Sequence, residues 1–193
     1  MKTTHATYNI NWLLEKVNQG ENISYLFFWG HTNPKDGITT KSCFSQWYPS
    51  PFTVEGTRYD TAEHWMMAKK AELFGDKEVL EGILKASTPH NAKNLGRKVR
   101  NFDPQTWDEN CFSIVCEGNY HKFSQHSDLK TFLLNTDEKV LVEASPMDKI
   151  WGIGMGENNK NASNPNLWKG VNLLGFALME VRDRLKSSKS ILA

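Results

Sequence analysis

Thr61-Ala-Glu-His-Trp-Met-Met-Ala-Lys-Lys-Ala-Glu-Leu-Phe74 reads as a single helix of between three and four turns, capped by the Thr61 hydroxyl and stopped by Gly75. At roughly 100° per residue, Glu63, Lys70 and Phe74 fall within about 40° of one another. Met66, Met67, Ala71 and Leu73 flank them, so two ionisable groups stand at the centre of an apolar stripe. Lys69 and Glu72 point the other way, where solvent is expected. Desolvating an unpaired ion costs several kcal/mol, so charges in such a stripe need a reason. Glu63 and Lys70 lie two turns apart, about 10 Å along the axis, and helix spacing alone does not pair them. Either each pairs with a group from another element or reaches the surface, or the apolar setting is the point. A desolvated lysine loses its proton more readily, and the free amine is what nucleophilic and Schiff-base chemistry requires.

Outward from this helix the chain alternates helical runs and breakers. Upstream, residues 9–18 permit a short leading helix, and Tyr25-Leu-Phe-Phe-Trp29 reads as a buried strand closed by Gly30. A polar loop, His31 to Ser42, precedes Phe44-Ser-Gln-Trp-Tyr-Pro-Ser-Pro-Phe52, too interrupted for a helix and too apolar for a linker. Glu55-Gly56 marks a hairpin turn. Downstream, helices are expected over 76–86 and 89–99, the latter opening on Pro89. Asp103-Pro104 starts a long helix with Trp107, Cys111, Ile114 and Val115 on one face, and Ser127 caps another through Leu134. Lys139-Val-Leu-Val-Glu143 reads as a strand, 147–170 as mostly loop, and 172–186 as a closing helix before a frayed polar tail. The expected architecture is α+β, a single mainly helical domain over 1–193 with a few short strands and no repeats.

Composition bounds the function. With 39% hydrophobic and 23% charged residues, the 193-residue chain belongs with soluble globular proteins. Seven Trp and ten Phe exceed a minimal core, so some rings are available to line a ligand pocket. A net charge of +1 supplies no global field toward nucleic acid. One stretch is uneven: Lys85, Lys93, Arg97, Lys98 and Arg100 occur from 85 to 100 without an acidic residue, which suits one phosphorylated ligand or simply a solvated helix face. Cys43, Cys111 and Cys116 lack CxxC spacing and argue for a reducing compartment, against a disulfide framework and against zinc. No histidine stands at a metal-binding spacing from Cys or Asp. The opening MKTTHATYNINWLLEKV lacks the apolar run of a signal peptide, and a cytoplasmic location is expected.

Several segments resemble the NADAR (YbiA-like) family from about Tyr25 to Leu185. Thr61-Ala-Glu-His-Trp-Met-Met-Ala-Lys-Lys-Ala71 matches its TxEHxxxAxKA segment, with the family lysine at Lys70. Phe44 to Phe52 resembles its Ser-Asn-aromatic motif, although Gln46 stands where shorter members carry Asn. Leu95 to Val99 matches LGRxV, Asp148 to Gly154 matches DxxWGxG, and Asn172 to Arg182 matches NxLGxxLMxxR.

The resemblance implies hydrolysis of N-glycosidic bonds without a cofactor or metal. Two substrate classes go with it: ribosylamino-pyrimidine phosphates of riboflavin biosynthesis, and ADP-ribose attached to guanine in DNA or RNA. Lys70 would attack C1 of the ribose and hold the opened sugar as a Schiff base until water releases it. Cleavage also needs an acid for the leaving nitrogen and a base for water. Glu63 is the first candidate. Asp148 is the second, placed before Trp151 and Gly152 in a loop able to bring backbone close to a ligand, or else a plain loop cap. Ser45 belongs to the aromatic motif and is carried over as a substrate contact. Arg97 and Lys98 are proposed phosphate contacts, and Trp47 and Trp151 stacking surfaces for a base. Asn172 caps its helix, binds a ribose hydroxyl, or does both.

Gly152-Ile-Gly-Met-Gly156 resembles a dinucleotide fingerprint, but no helix opens after it. The rival to an enzyme is a non-catalytic ADP-ribose-binding module, against which Lys70 and Glu63 speak, because binding alone does not require a buried amine. A partner acting through protein contacts has no sequence feature in its favour.

Overall fold

The structure, a computed structural model, describes residues 6–32 and 37–190, with side chains to 188. It groups into two compact units, Met1–Gly30 with Thr131–Ala193, and His31–Lys130. The polar tail lies partly outside the described residues; the closing helix runs on to Ser190, past the expected end at Lys186.

The first unit is built around a two-stranded parallel sheet. Strand β1, Tyr25–Phe28, pairs with β4, Val140–Glu143, in the register Tyr25 to Val140 through Phe28 to Glu143. The connection between these strands is the whole of the other unit. Helix α1, Ile10–Asn18, starts where Asn9 accepts from the Trp12 N–H at 2.9 Å, and α7, Leu173–Ser190, packs on β4. Leu13, Phe28, Leu141, Val142, Ile153, Phe176 and Leu178 are buried between them.

The second unit opens on a short 3-10 turn, Lys41–Phe44, and the hairpin of β2, Phe52–Val54, and β3, Thr57–Tyr59. Its tip is Glu55-Gly56, both at positive φ (49° and 80°), the mirror-image turn that matches strand twist. Four helices follow: α2, Ala62–Leu73; α3, Lys77–Leu84; α4, Pro89–Gly96; and α5, Pro104–Gln125. Each begins as its sequence predicts. Thr61, Asp76, Thr88 and Asp103 accept from the N–H groups of His64, Val79, Asn91 and Thr106. Helix α6, Ser127–Leu134, carries the chain back into the first unit.

Helix α2 differs from the amphipathic picture. Ala62 through Ala68 are all buried, so its first two turns have no solvent face. The cause is that β3, α3, α4 and α5 all pack on it. Close approach depends on small residues. A Cβ on Gly96 of α4 would stand 2.2 Å from the Met67 sulfur, and one on Gly118 of α5 2.3 Å from the Trp65 ring.

Candidate active site

The residues singled out in the sequence divide between the units. Ser45, Trp47, Glu63, Lys70, Arg97 and Lys98 lie in the second, and Asp148, Trp151, Gly152 and Asn172 in the first.

Lys70 sits in the last full turn of α2, half-buried. Its ammonium nitrogen stands 4.1 Å from the centre of the Phe102 ring and 5.4 Å from that of Trp107. The neighbours expected from the helix face were Met66, Met67 and Leu73. The methionines are engaged elsewhere: Met66 accepts a long contact of 3.9 Å from the Gln46 amide, and Met67 packs on Gly96. The two ring faces attract the ammonium and favour its charged form, while their bulk helps to bury it; burial is the effect that prevails. Burial pushes the Lys70 pKa down from the usual lysine value, because the ammonium is the form that loses solvation. Lys69 is occupied differently, pairing with Glu72 at 2.7 Å and lying 4.7 Å from the Trp65 ring.

Glu63 stands in the first turn of α2 with only 4% of its surface exposed. Its backbone N–H donates to the Gln46 carbonyl at 2.9 Å, which fixes the start of α2 to the aromatic motif. His64 beside it is structural: one ring nitrogen pairs with Thr61 Oγ1 at 2.8 Å, the other with the Ala86 carbonyl at 3.0 Å.

The aromatic motif is held from below by two residues of α5 that the sequence reading missed. Asn119 Nδ2 donates to Gln46 Oε1 at 2.8 Å. Lys122, wholly buried, donates to the carbonyls of Cys43 at 2.6 Å and Ser45 at 2.9 Å, and its pKa falls to about 8 through desolvation. Ser45 Oγ in turn accepts from the Trp47 N–H at 3.1 Å. The half-buried Trp47 ring is ringed by His31 at 5.5 Å, His90 at 6.1 Å and the Lys93 amine at 5.7 Å. Of these only Lys93 carried any sequence signal, as part of the basic run.

Arg97 and Lys98 are both exposed but do not act as a pair. Arg97 donates to Asn94 at 3.4 Å, whereas Lys98 lines an open cavity of about 390 Å³ with Lys85, Ser87, Asn91 and Asn94. That cavity has no acidic lining residue. A second cavity, about 410 Å³ in the first unit between Trp12, Lys139 and Arg182, includes none of the candidate residues.

In the first unit the DxxWGxG and NxLG segments turn out to be packing devices. Asp148 Oδ1 accepts from the N–H groups of Ile150 at 2.9 Å and Trp151 at 2.7 Å, the loop-cap arrangement. Gly152 lies close to backbone, since a Cβ there would stand 2.7 Å from the Glu143 carbonyl. Trp151 is half-buried, and its carbonyl accepts from Leu174 at 3.1 Å. Asn172 departs from the expected helix cap. It has no exposed surface and φ of 57°. Its amide accepts from the Glu143 N–H and donates to the Leu141 carbonyl, both at 2.9 Å. The side chain therefore extends the ladder of β4. Gly175 completes the device, since a Cβ there would meet the Leu141 carbonyl at 2.0 Å.

Comparison with known proteins gives the family. Residues 27–186 match the family model described as NADAR domain. N-glycosidase R617 of Acanthamoeba polyphaga mimivirus is 45% identical over 168 residues, 84% of this chain and 97% of its own length. N-glycosidase YbiA of Escherichia coli is 32% identical over 146 residues, 76% of this chain and 82% of its own. The NMR structure of the E. coli protein YbiA superposes with a TM-score of 0.66 at 28% identity, covering 88% of this chain and 89% of that one. By family match, relatives and fold together, the chain belongs to the NADAR domain family.

Proposed function

We propose that this protein is an N-glycosidase that hydrolyses the bond between a base nitrogen and C1 of a ribose, with Lys70 as nucleophile. The observation carrying this reading is the Lys70 amine held against Phe102 and Trp107 in the last full turn of α2. Relatives named N-glycosidases support the reaction class.

The free amine attacks C1, the C1–N bond breaks, and the base leaves with a proton from a carboxylic acid. Opening of the sugar ring, with its oxygen taking a proton, leaves C1 doubly bonded to Nζ as a protonated imine. Water then adds to C1, and expulsion of the amine returns the ribose phosphate or ADP-ribose with a free C1 hydroxyl, together with Lys70. The net change is one water consumed per base released. Glu63 is the first choice for the acid and base roles and Asp148 the second. Trp47 offers a stacking face, with Lys93, Arg97 and Lys98 as cations for the substrate phosphates. Both ribosylamino-pyrimidine phosphates and ADP-ribose on guanine in nucleic acid present the required base–ribose bond and a phosphate.

Incubating the purified protein with each substrate class and separating the products tests the activity and the choice together. Borohydride added during turnover tests the mechanism. The expected result is a stable secondary amine, with the mass of the sugar fragment mapped to Lys70. Turnover with no adduct across a range of pH would replace the covalent route by direct attack of water. Tight binding of ADP-ribose with no base release from either class would favour the non-catalytic binding module.

A further inference from the structure

Phe102 presents a puzzle of its own. It is 42% exposed, yet its ring is seated over the Lys70 amine and edge-on to Phe74 at 5.3 Å. An aromatic ring on an exposed connector has no reason to keep one place unless the backbone beneath it is fixed.

The backbone is fixed by Asp76. This residue joins α2 to α3: its N–H donates to the Ala71 carbonyl at 2.9 Å, in the turn that carries Lys70, and its Oδ1 caps α3 at Val79. The carboxylate is buried and grips Arg100 three ways. Oδ2 accepts from the Arg100 backbone N–H at 2.9 Å and from Nε at 3.0 Å, and Oδ1 accepts from Nη2 at 2.5 Å. Arg100 holds the Asp76 carboxyl well below the usual carboxylate range, so the grip persists across physiological pH. The chain then reverses at Asn101, with φ of 58°, a conformation asparagine tolerates better than most residues. The next residue is Phe102.

We propose that the Asp76–Arg100 clasp is a positioning device for the reaction, seating the Phe102 ring over the Lys70 amine and so keeping the nucleophile dry. This rests on the reading of Lys70 as nucleophile. The charged groups on the surrounding elements include Lys69 and Glu72 of α2, Lys77, Glu78 and Glu81 of α3, Lys93 of α4, Arg97 and Lys98 beyond it, and Asp103, Asp108 and Glu109 at the start of α5. Lys69 pairs with Glu72, Glu78 reaches Arg100 at 3.1 Å, and Asp103 caps α5. Burial alone accounts for the Lys70 shift, with none of these charges contributing to it.

The test reads Lys70 directly. In protein carrying lysine labelled with ¹³C at Cε, the Lys70 signal, identified by its loss in K70R, is titrated by NMR. Its midpoint should rise toward the ordinary lysine value in F102A as water reaches the amine. D76N should raise it comparably, and the D76N/F102A double variant no further. If D76N does not fold, R100Q removes the two side-chain bonds of the grip from the exposed side and leaves only the backbone one, so a smaller rise is expected. The rise of kcat/KM with pH should shift alkaline by the same interval in each variant. A Lys70 midpoint unchanged in folded D76N or R100Q, or one that moves only in F102A, overturns the clasp. A shifted midpoint in a protein that releases no base from either substrate class would instead sink the glycosidase reading while leaving the clasp intact.

Discussion

Replacing Lys122 by methionine should change how stability depends on pH, and by an amount the structure bounds. Methionine keeps most of the side-chain volume and removes the ammonium. In the folded protein the Lys122 pKa is about 8, depressed by complete desolvation, against 10.5 for an unburied lysine. Above pH 8 the folded state sheds this proton while the unfolded chain retains it until pH 10.5. The unfolded state then binds more protons, so stability rises with pH across that window. The interval corresponds to roughly 3 kcal/mol of unfolding free energy gained by the wild type and missing in K122M. Below pH 8 the two proteins should run parallel. Their offset reflects opposing effects there: the variant is relieved of the buried charge but leaves the Cys43 and Ser45 carbonyls without their donor, a loss of about 1–3 kcal/mol each.

Urea unfolding of both proteins from pH 7 to 10.5, followed by far-UV circular dichroism, measures this. The Cys43 and Cys111 thiols, pushed up to about 12 and about 11 by burial, lower stability as pH rises above the ordinary thiol range. The Cys111 loss cancels in the difference, whereas Cys43 faces Lys122 and its pKa rises further in K122M, so the comparison is read from pH 8 to 9, below the ordinary thiol range. Parallel profiles between pH 8 and 9 would mean that Lys122 keeps an ordinary pKa. Its burial against the aromatic motif would then not disfavour the ammonium.

Three further outcomes are expected. K70A should lose base release by at least about a thousandfold while K69A stays near wild type, as measured by product chromatography; equal losses would show that position on α2 does not separate them. Gly175→Ala should destabilise more than Gly96→Ala in thermal unfolding, because the first meets the Leu141 carbonyl and the second the movable end of Met67; the reverse order would refute the packing role of the Asn172–Gly175 device. R97A and K98A should each weaken ADP-ribose or ribose-phosphate binding by about 1 kcal/mol and reduce its salt dependence, by calorimetry at two ionic strengths; unchanged affinity in both would remove the basic run from the site.

What the sequence made legible was local. Thr61 with Gly75, Asp103 with Pro104 and Glu55-Gly56 place element ends through interactions within a few residues, and the structure puts those ends within a few positions of the expected ones. The parallel pairing of β1 with β4 has no such signature, because its partners are separated by the entire second unit. Lys122 was hidden for a related reason. In Tyr120-His-Lys-Phe123 a lysine looks like a solvated residue of a long helix, and only the two carbonyls arriving from residues 43 and 45 turn it inward. The helix face of α2 pointed to Lys70 with Phe74 beside it but not to Phe102 and Trp107, since a helical wheel gives directions and not what other elements bring to them.

The same distinction sorts the shared motifs. Gly96, Gly152, Asn172 and Gly175 sit in family-like segments, and each is accounted for by backbone or side chains pressed against it. A motif position explained so fully by packing carries little information about chemistry. What packing does not explain is a half-buried amine under an exposed phenylalanine, and a tryptophan ringed by two histidines and a lysine. Both arrangements leave polar or aromatic groups partly accessible instead of closing them into the core, and on the proposed function they are the positions a substrate would meet.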